Sequence, residues 1–251
     1  MTRRFFSQTA GLARTQALFE RYYFGQASFV RGTQVFHQMC QSRLQRESHI
    51  LEIGAGPANL TTQFLSHIGA VTALDVSPEV LSNPDVREAH LYDGITMPYP
   101  DEVFEMCVSN YVLEHLADPL SHFREAFRIL KPGGTYCFRT PNLWHYVTAG
   151  SRLLPHSAHL RIANKLRGLA DGAHAPWPTV YRANTRRRLQ TLAKKTGWLV
   201  DELRMIEAEP SYGATHPLLF YPMMAYERIV NSSELFRSIR VNILGAFRKP
   251  E

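Results

Sequence analysis

Short apolar runs alternate with amphipathic stretches through the middle of the chain, and this alternation predicts its elements. His49-Ile50-Leu51-Glu52-Ile53 runs into glycines and predicts strand one. A helix is expected over 57–67, because proline is tolerated at a first helical position. Residues 70–74 predict strand two, closed by Asp75, and Ser77-Pro78-Glu79 opens a short helix that Asn83-Pro84 stops. Strands three and four are expected over 86–92 and 104–109. Asp118-Pro119 opens a helix to Leu130, Lys131-Pro132-Gly133-Gly134 predicts a turn, and 135–139 predicts strand five. Thr185 caps a helix to Thr196 that Gly197 ends. A sixth strand over 198–206, a helix over 218–230 and a last strand over 241–247 complete the pattern. Strands alternating with helices over short connections predict an α/β fold: a doubly wound, mostly parallel seven-stranded sheet.

The flanks break this rhythm. Residues 1–48 predict an N-terminal helical cap, with Phe19, Tyr22, Tyr23, Phe24 and Phe29 as core aromatics and Val35, Phe36 and Met39 at helical spacing. Residues 49–251 form the expected main domain. Within it 142–183 holds four histidines, Pro155, Pro176, Pro178 and an amphipathic piece over 160–169, and predicts an acceptor-side insertion or lid after strand five.

Composition narrows the setting. The formal charge of +6 favours acidic partners. Arg186, Arg187, Arg188, Lys194 and Lys195 cluster, and a solvated helix face is the simpler reading than a polyanion site. No apolar run is long enough to predict a transmembrane segment. Cys40, Cys107 and Cys137 show no paired spacing, which suits a reducing compartment and predicts a cytoplasmic location. The first nineteen residues carry three arginines and no acid before Glu20, so a mitochondrial targeting segment is the alternative to a basic N-terminal helix.

The candidate chemistry lies at the strand ends. Gly54-Ala55-Gly56 lets a backbone turn sharply against a ligand. The third glycine of a dinucleotide fingerprint would fall at 59, which is Asn59. Glu52 precedes the first glycine by two residues; a carboxylate there would repel a pyrophosphate and suits a ligand carrying an ammonium and a sulfonium. Asp75 follows about twenty residues later and can accept from both hydroxyls of a ribose. Asp93-Gly94 follows strand three and Ser109-Asn110-Tyr111 ends strand four.

These segments, LEIGAGPANL, TALDVSPEVL, LYDGITMPYPDEVFEMCVSNYVLEHLADP, FREAFRILKPGGTYCFRTPN and YRANTRRRLQTLAKKTGW, resemble the class I S-adenosylmethionine-dependent methyltransferases, most closely their small-molecule branch. The resemblance covers roughly residues 49–200, the bulk of a domain. It implies a Rossmann-like fold and S-adenosylmethionine as methyl donor. It places Glu52, Gly54 and Gly56 at the methionine portion, Asp75 at the ribose, Asp93 and Gly94 at the adenine, and Asn110 toward the transferring methyl. Leu116 and Ala117 would wall the donor. The segment after strand two is shorter than the family usually shows.

The acceptor is less legible. A small molecule is expected, and the positive balance points to an anionic one. For an oxygen acceptor His115 and then His145 are the general-base candidates, with Tyr146 beside His145. Packing roles for these residues stay open. Arg182 suits a carboxylate or phosphate. His156 and His159 share a helical spacing, yet no metal site is expected. The missing Asn-Pro-Pro-Tyr motif disfavours a nucleic-acid acceptor without closing that alternative. An RNA-modifying enzyme and a non-catalytic S-adenosylmethionine-binding protein remain the rival readings, and no oligomeric state is implied.

Overall fold

The computed structural model describes residues 13–44, 48–153, 177–210 and 217–251. The amphipathic piece over 160–169, His156, His159, His174 and most of the nineteen-residue basic start lie outside them. The chain divides into two compact units. The larger holds Thr33–Leu143, Pro178–Met205 and Asn242–Glu251; the smaller holds Met1–Gly32, Trp144–Trp177 and Ile206–Val241.

The larger unit is built on a seven-stranded sheet. Its strands are β1 (His49–Ile53), β2 (Ala70–Asp75), β3 (Glu88–Leu91), β4 (Phe104–Asn110), β5 (Leu130–Pro141), β6 (Leu199–Ile206) and β7 (Asn242–Arg248), in the order 3-2-1-4-5-7-6. Strands β1 to β5 are parallel where they pair, and β7 runs antiparallel to β5. Central β1 and β4 read as near-continuous apolar runs because both of their faces are covered. Connections leave β1 toward β2 on one side and reach β4 on the other, so a crevice opens beyond the carboxyl ends of these two strands.

Local chemistry sets the helix ends. Helix α3 (Leu60–Ser66) starts later than the apolar pattern predicts. Asn59 is extended at φ −156°, and its Oδ1 accepts from the Thr61 and Thr62 amides at 2.7 and 3.0 Å. This side-chain cap outweighs the tolerance for Pro57 at a helix start. After β2 a single 3-10 turn, Pro78–Ser82, replaces a full helix, as its short segment predicts. Helix α4 (Pro119–Ile129) is capped by Asp118 and buries Phe123, Ala126 and Ile129 at spacing three. Helix α6 (Arg186–Thr196) starts at the Thr185 cap and ends at Gly197 in the left-handed region.

The Lys131–Gly134 turn is absorbed into β5, where it makes an irregularity: Phe104 pairs with Leu130, and Met106 with Thr135. Strand three is trimmed to four residues at the sheet edge. The core joins Leu51, Ile53, Phe123, Tyr136, Phe138 and Phe247. Gly245 admits the Phe138 ring; a Cβ there would lie 2.1 Å from its Cζ.

In the smaller unit, helical residues 13–19 run into a wide turn at Glu20–Phe24, joined by α5 (Tyr146–Leu153) and α7 (Pro217–Asn231). Phe19, Tyr23 and Phe220 form its aromatic core, as the clustered aromatics predict. No helix among the described residues is long and apolar enough to cross a membrane.

Candidate active site

The strand-end residues Glu52, Gly54, Gly56, Asp75, Asp93, Gly94 and Asn110 all belong to the larger unit, and β1, β2, β3 and β4 bring them to one edge of the sheet. The glycine turn is held by hydrogen bonds. Gly54 N donates to Leu74 O at 2.7 Å, and Gly56 N donates to Asp75 Oδ2 at 2.9 Å. Both glycines sit at positive φ, +77° and +58°. A Cβ at Gly54 would lie 2.3 Å from Val112 Cγ2, so this glycine packs the turn against the chain after β4. A Cβ at Gly56 would meet nothing within 4 Å; its bare face borders open space.

Glu52 is 1 % exposed. Its Oε1 accepts from Asn59 Nδ2 at 3.2 Å, while Oε2 is sealed from solvent and has no hydrogen-bond partner. Burial pushes its pKa up to about 7, with the Thr62 hydroxyl and then the Asn59 amide opposing the shift and the Asp75 charge adding to it. A buried carboxylate oxygen with no partner at hydrogen-bonding distance calls for an explanation, and a bound cationic group is one.

Asp75 Oδ1 accepts from Ser77 N at 2.9 Å and Oδ2 from Gly56 N, which fixes the carboxylate and leaves a lone pair on each oxygen. Asp93 Oδ1 accepts from the Ile95 and Thr96 amides, both at 2.8 Å. These backbone bonds hold its pKa below the usual carboxylate range. Gly94, at φ +80°, packs against Val76.

Asn110 sits in a relay that the sequence does not announce. Its Nδ2 donates to Thr61 Oγ1 at 3.0 Å, and Arg139 Nε donates to its Oδ1 at 2.8 Å. Arg139 Nη1 continues to Thr33 Oγ1 at 3.1 Å, and His37 Nε2 lies 3.3 Å from Thr61 Oγ1. His37 and Thr33 come from α2 (Gly32–Gln41), and the His37 ring stacks on Phe64 at 4.2 Å. Burial, helped by the Arg139 charge, lowers the His37 pKa to about 4. A neutral asparagine bonded on both sides is a rigid wall at the end of β4. Only the Ser-Asn-Tyr end of the strand was legible as a signal; Arg139, Thr33 and His37 carried none.

The two candidate histidines part company. His115, in the larger unit, holds Nδ1 3.0 Å from Pro178 O, with Nε2 4.0 Å from Glu114 Oε1. A carbonyl can only accept, so Nδ1 is the donor to Pro178 and Nε2 is the nitrogen left to face another partner. His145 belongs to the smaller unit, 1 % exposed, with Nε2 3.7 Å from Glu207 Oε1. Burial lowers its pKa to about 4 and raises that of Glu207 to about 8, so both are neutral near pH 7. A buried imidazole of that basicity is a poor proton acceptor.

Arg182 donates to the Ala117 carbonyl beside Leu116, and Arg186 and Arg188 reach the Leu203 and Tyr181 carbonyls. The basic cluster is thus partly spent on the fold. Among the described residues no group of His, Cys, Asp or Glu could hold a metal ion. A cleft of about 620 Å³ in the smaller unit, beside Arg21, Tyr22, Tyr23 and Arg228, includes none of the strand-end residues.

Residues 51–138, which hold every strand-end residue named above, match a family model described as a methyltransferase domain. Through this stretch the chain is similar to the class I S-adenosylmethionine-dependent methyltransferases. Among curated relatives it is 28 % identical over 183 residues to a malonyl-[acyl-carrier protein] O-methyltransferase of Salmonella typhimurium, covering 66 % of this chain and 65 % of the relative. It is 30 % identical over 103 residues to a demethylmenaquinone methyltransferase of Chlamydia muridarum, covering 37 % and 44 %. The chain thus spans between about two fifths and two thirds of the length of the curated relatives it matches. An S-adenosylmethionine-dependent methyltransferase structure from Mesorhizobium loti superposes with a TM-score of 0.53 at 18 % identity, covering 84 % of this chain and 96 % of that one. A [4+2]-cyclase does so at 0.55 and 14 %, covering 91 % and 86 %, so the fold alone does not fix the chemistry.

Proposed function

We propose that the chain transfers a methyl group from S-adenosylmethionine to a small-molecule acceptor. The observation that carries this reading is Glu52: a buried carboxylate with one oxygen lacking a partner at hydrogen-bonding distance, two residues before a glycine turn whose Gly56 borders open space. When bound, S-adenosylmethionine supplies an electrophilic methyl on a sulfonium. Glu52 neutralises the cationic methionine end, Asp75 takes the ribose hydroxyls, and Asp93 and Gly94 take the adenine. Asn110, locked by Thr61 and Arg139, borders the methyl. The residues' main contribution is orientation and exclusion of water. His115, oriented by the contact of its Nδ1 with Pro178 O, takes the acceptor's proton in this reading. Residues 142–183, expected from sequence as an acceptor-side insertion, are the segment assigned to acceptor selection. Three buried cysteines outside any disulfide support a reducing, cytoplasmic setting.

The names of the two curated relatives cite different acceptors, which supports a shared donor site and leaves the acceptor to experiment. Calorimetry with S-adenosylhomocysteine against NAD tests the donor. Binding of the first alone is expected, and binding of NAD alone would overturn the reading. Binding without turnover across a broad acceptor panel would favour a non-catalytic role, and salt-sensitive RNA binding would favour the RNA-modifying alternative.

A further inference from the structure

We propose that Arg139 binds an oxyanion of the methyl acceptor, a carboxylate or a phosphate. Arg139 is 6 % exposed at the carboxyl end of β5, in register with Asn110 of β4. Its hydrogen-bond partners are both neutral: Asn110 Oδ1 and Thr33 Oγ1. Its guanidinium carbon lies 4.5 Å from the Tyr111 ring centroid and 5.7 Å from that of Phe36. No carboxylate pairs with it among the described residues, whereas eight other Arg and Lys side chains described there each contact a carboxylate.

A buried guanidinium without a counter-charge is costly, and proteins that keep one ordinarily pair it with an anion. Here the second terminal nitrogen, Nη2, has no protein partner among the described residues, yet it is not sealed from solvent. The guanidinium is held by two hydrogen bonds and lies near two rings, which leaves donors on Nη1 and Nη2 for a planar or tetrahedral oxyanion. Tyr111 holds its ring there from a strained backbone, φ +61°, braced by a bond from its hydroxyl to Asn242 Oδ1 at 3.0 Å. Strain of this kind persists where the surroundings over-determine it and gathers at binding sites.

Arg139 reaches the same asparagine that borders the transferring methyl in the reading above, and calling the anion the acceptor's rests on that reading. An anion on Arg139 would anchor the acceptor within a few ångströms of Asn110. It would also relieve the positive field that helps hold His37 neutral.

The test is titration of sodium propanoate, sodium methyl phosphate and neutral propanamide, followed by calorimetry or NMR. Wild type, Arg139→Met and Arg139→Lys are each measured with and without saturating S-adenosylhomocysteine. Wild type is expected to bind at least one of the anions and not propanamide. The preferred anion tells a carboxylic acid from a phosphate ester, and either supports the proposal. Arg139→Met should weaken anion binding at least tenfold, Arg139→Lys should fall between, and S-adenosylhomocysteine affinity should stay within threefold. The proposal is overturned if wild type binds neither anion or if Arg139→Met binds it as well. It is also overturned if anion and S-adenosylhomocysteine affinities fall together in both variants, the mark of a purely structural role. Should Arg139→Met fail to fold, Arg139→Lys and Arg139→Gln decide by the same criteria. Failure of wild type to bind S-adenosylhomocysteine would sink the donor reading instead, and the titrations without it still judge Arg139.

Discussion

Glu52→Gln gives the sharpest electrostatic prediction. In the free protein burial raises the Glu52 pKa to about 7, so the group is largely protonated in mildly acidic solution. A ligand ammonium placed against the orphaned Oε2 demands the ionised form. Affinity then follows the ionised fraction, about 3 % at pH 5.5 and about half at pH 7, so S-adenosylhomocysteine should bind roughly fifteenfold tighter at pH 7. This window lies below the titration of the ligand's own amine, about 8. Calorimetry in two buffers of different ionisation enthalpy should count nearly one proton released at pH 5.5 and about half of one at pH 7. Glu52→Gln keeps the acceptor for Asn59 and should show weaker binding that is flat over this range. Wild-type affinity independent of pH, or an equal slope in Glu52→Gln, would refute the argument. The same shift has a stability consequence. A carboxyl raised from 4.5 to about 7 stabilises the fold below pH 4.5, and that contribution, about 3 kcal/mol, is lost as pH rises through 7.

Further outcomes follow from other contacts. Asp75→Ala removes two backbone hydrogen bonds and the proposed ribose acceptor, and should weaken S-adenosylhomocysteine by roughly 10- to 100-fold in calorimetry, with a lowered Tm. His115→Ala should cut turnover by about a hundredfold, while donor affinity changes less than threefold. Gly245→Ala forces a methyl into the Phe138 ring and should cost about 1–3 kcal/mol in denaturant unfolding, recovered in part by Phe138→Leu. His122, fully buried against the Tyr136 hydroxyl at 2.8 Å, has its pKa lowered to about 4 by burial. Its stabilisation is complete above pH 6.5 and is lost as pH falls toward 4, so His122→Asn should flatten acid unfolding in that window.

The strand ends were legible because their chemistry is local. Gly54, Asp75 and Asp93 each close an apolar run within a few residues, and periodicity finds such boundaries. Helix α3 was misplaced at its start because a cap depends on the backbone angles at Asn59, which composition does not show. Arg139, Thr33 and His37 were invisible for a different reason. Arg139 meets Asn110 across 29 residues and Thr33 across 106, and α2 reads from sequence as one piece of an aromatic-rich cap. Pairings of that separation follow from strand order, which the alternation of elements implies only as a class. His115 was visible by position, but the orientation of its ring is set by Pro178, 63 residues away.

The central claim is that the ends of β1 to β4 hold one adenosyl ligand. A crystal structure of the complex with S-adenosylhomocysteine measures it directly. The account predicts both ribose hydroxyls about 3 Å from the Asp75 oxygens and the ligand amine toward Glu52 Oε2. A ligand bound with Asp75 and Glu52 untouched would contradict it.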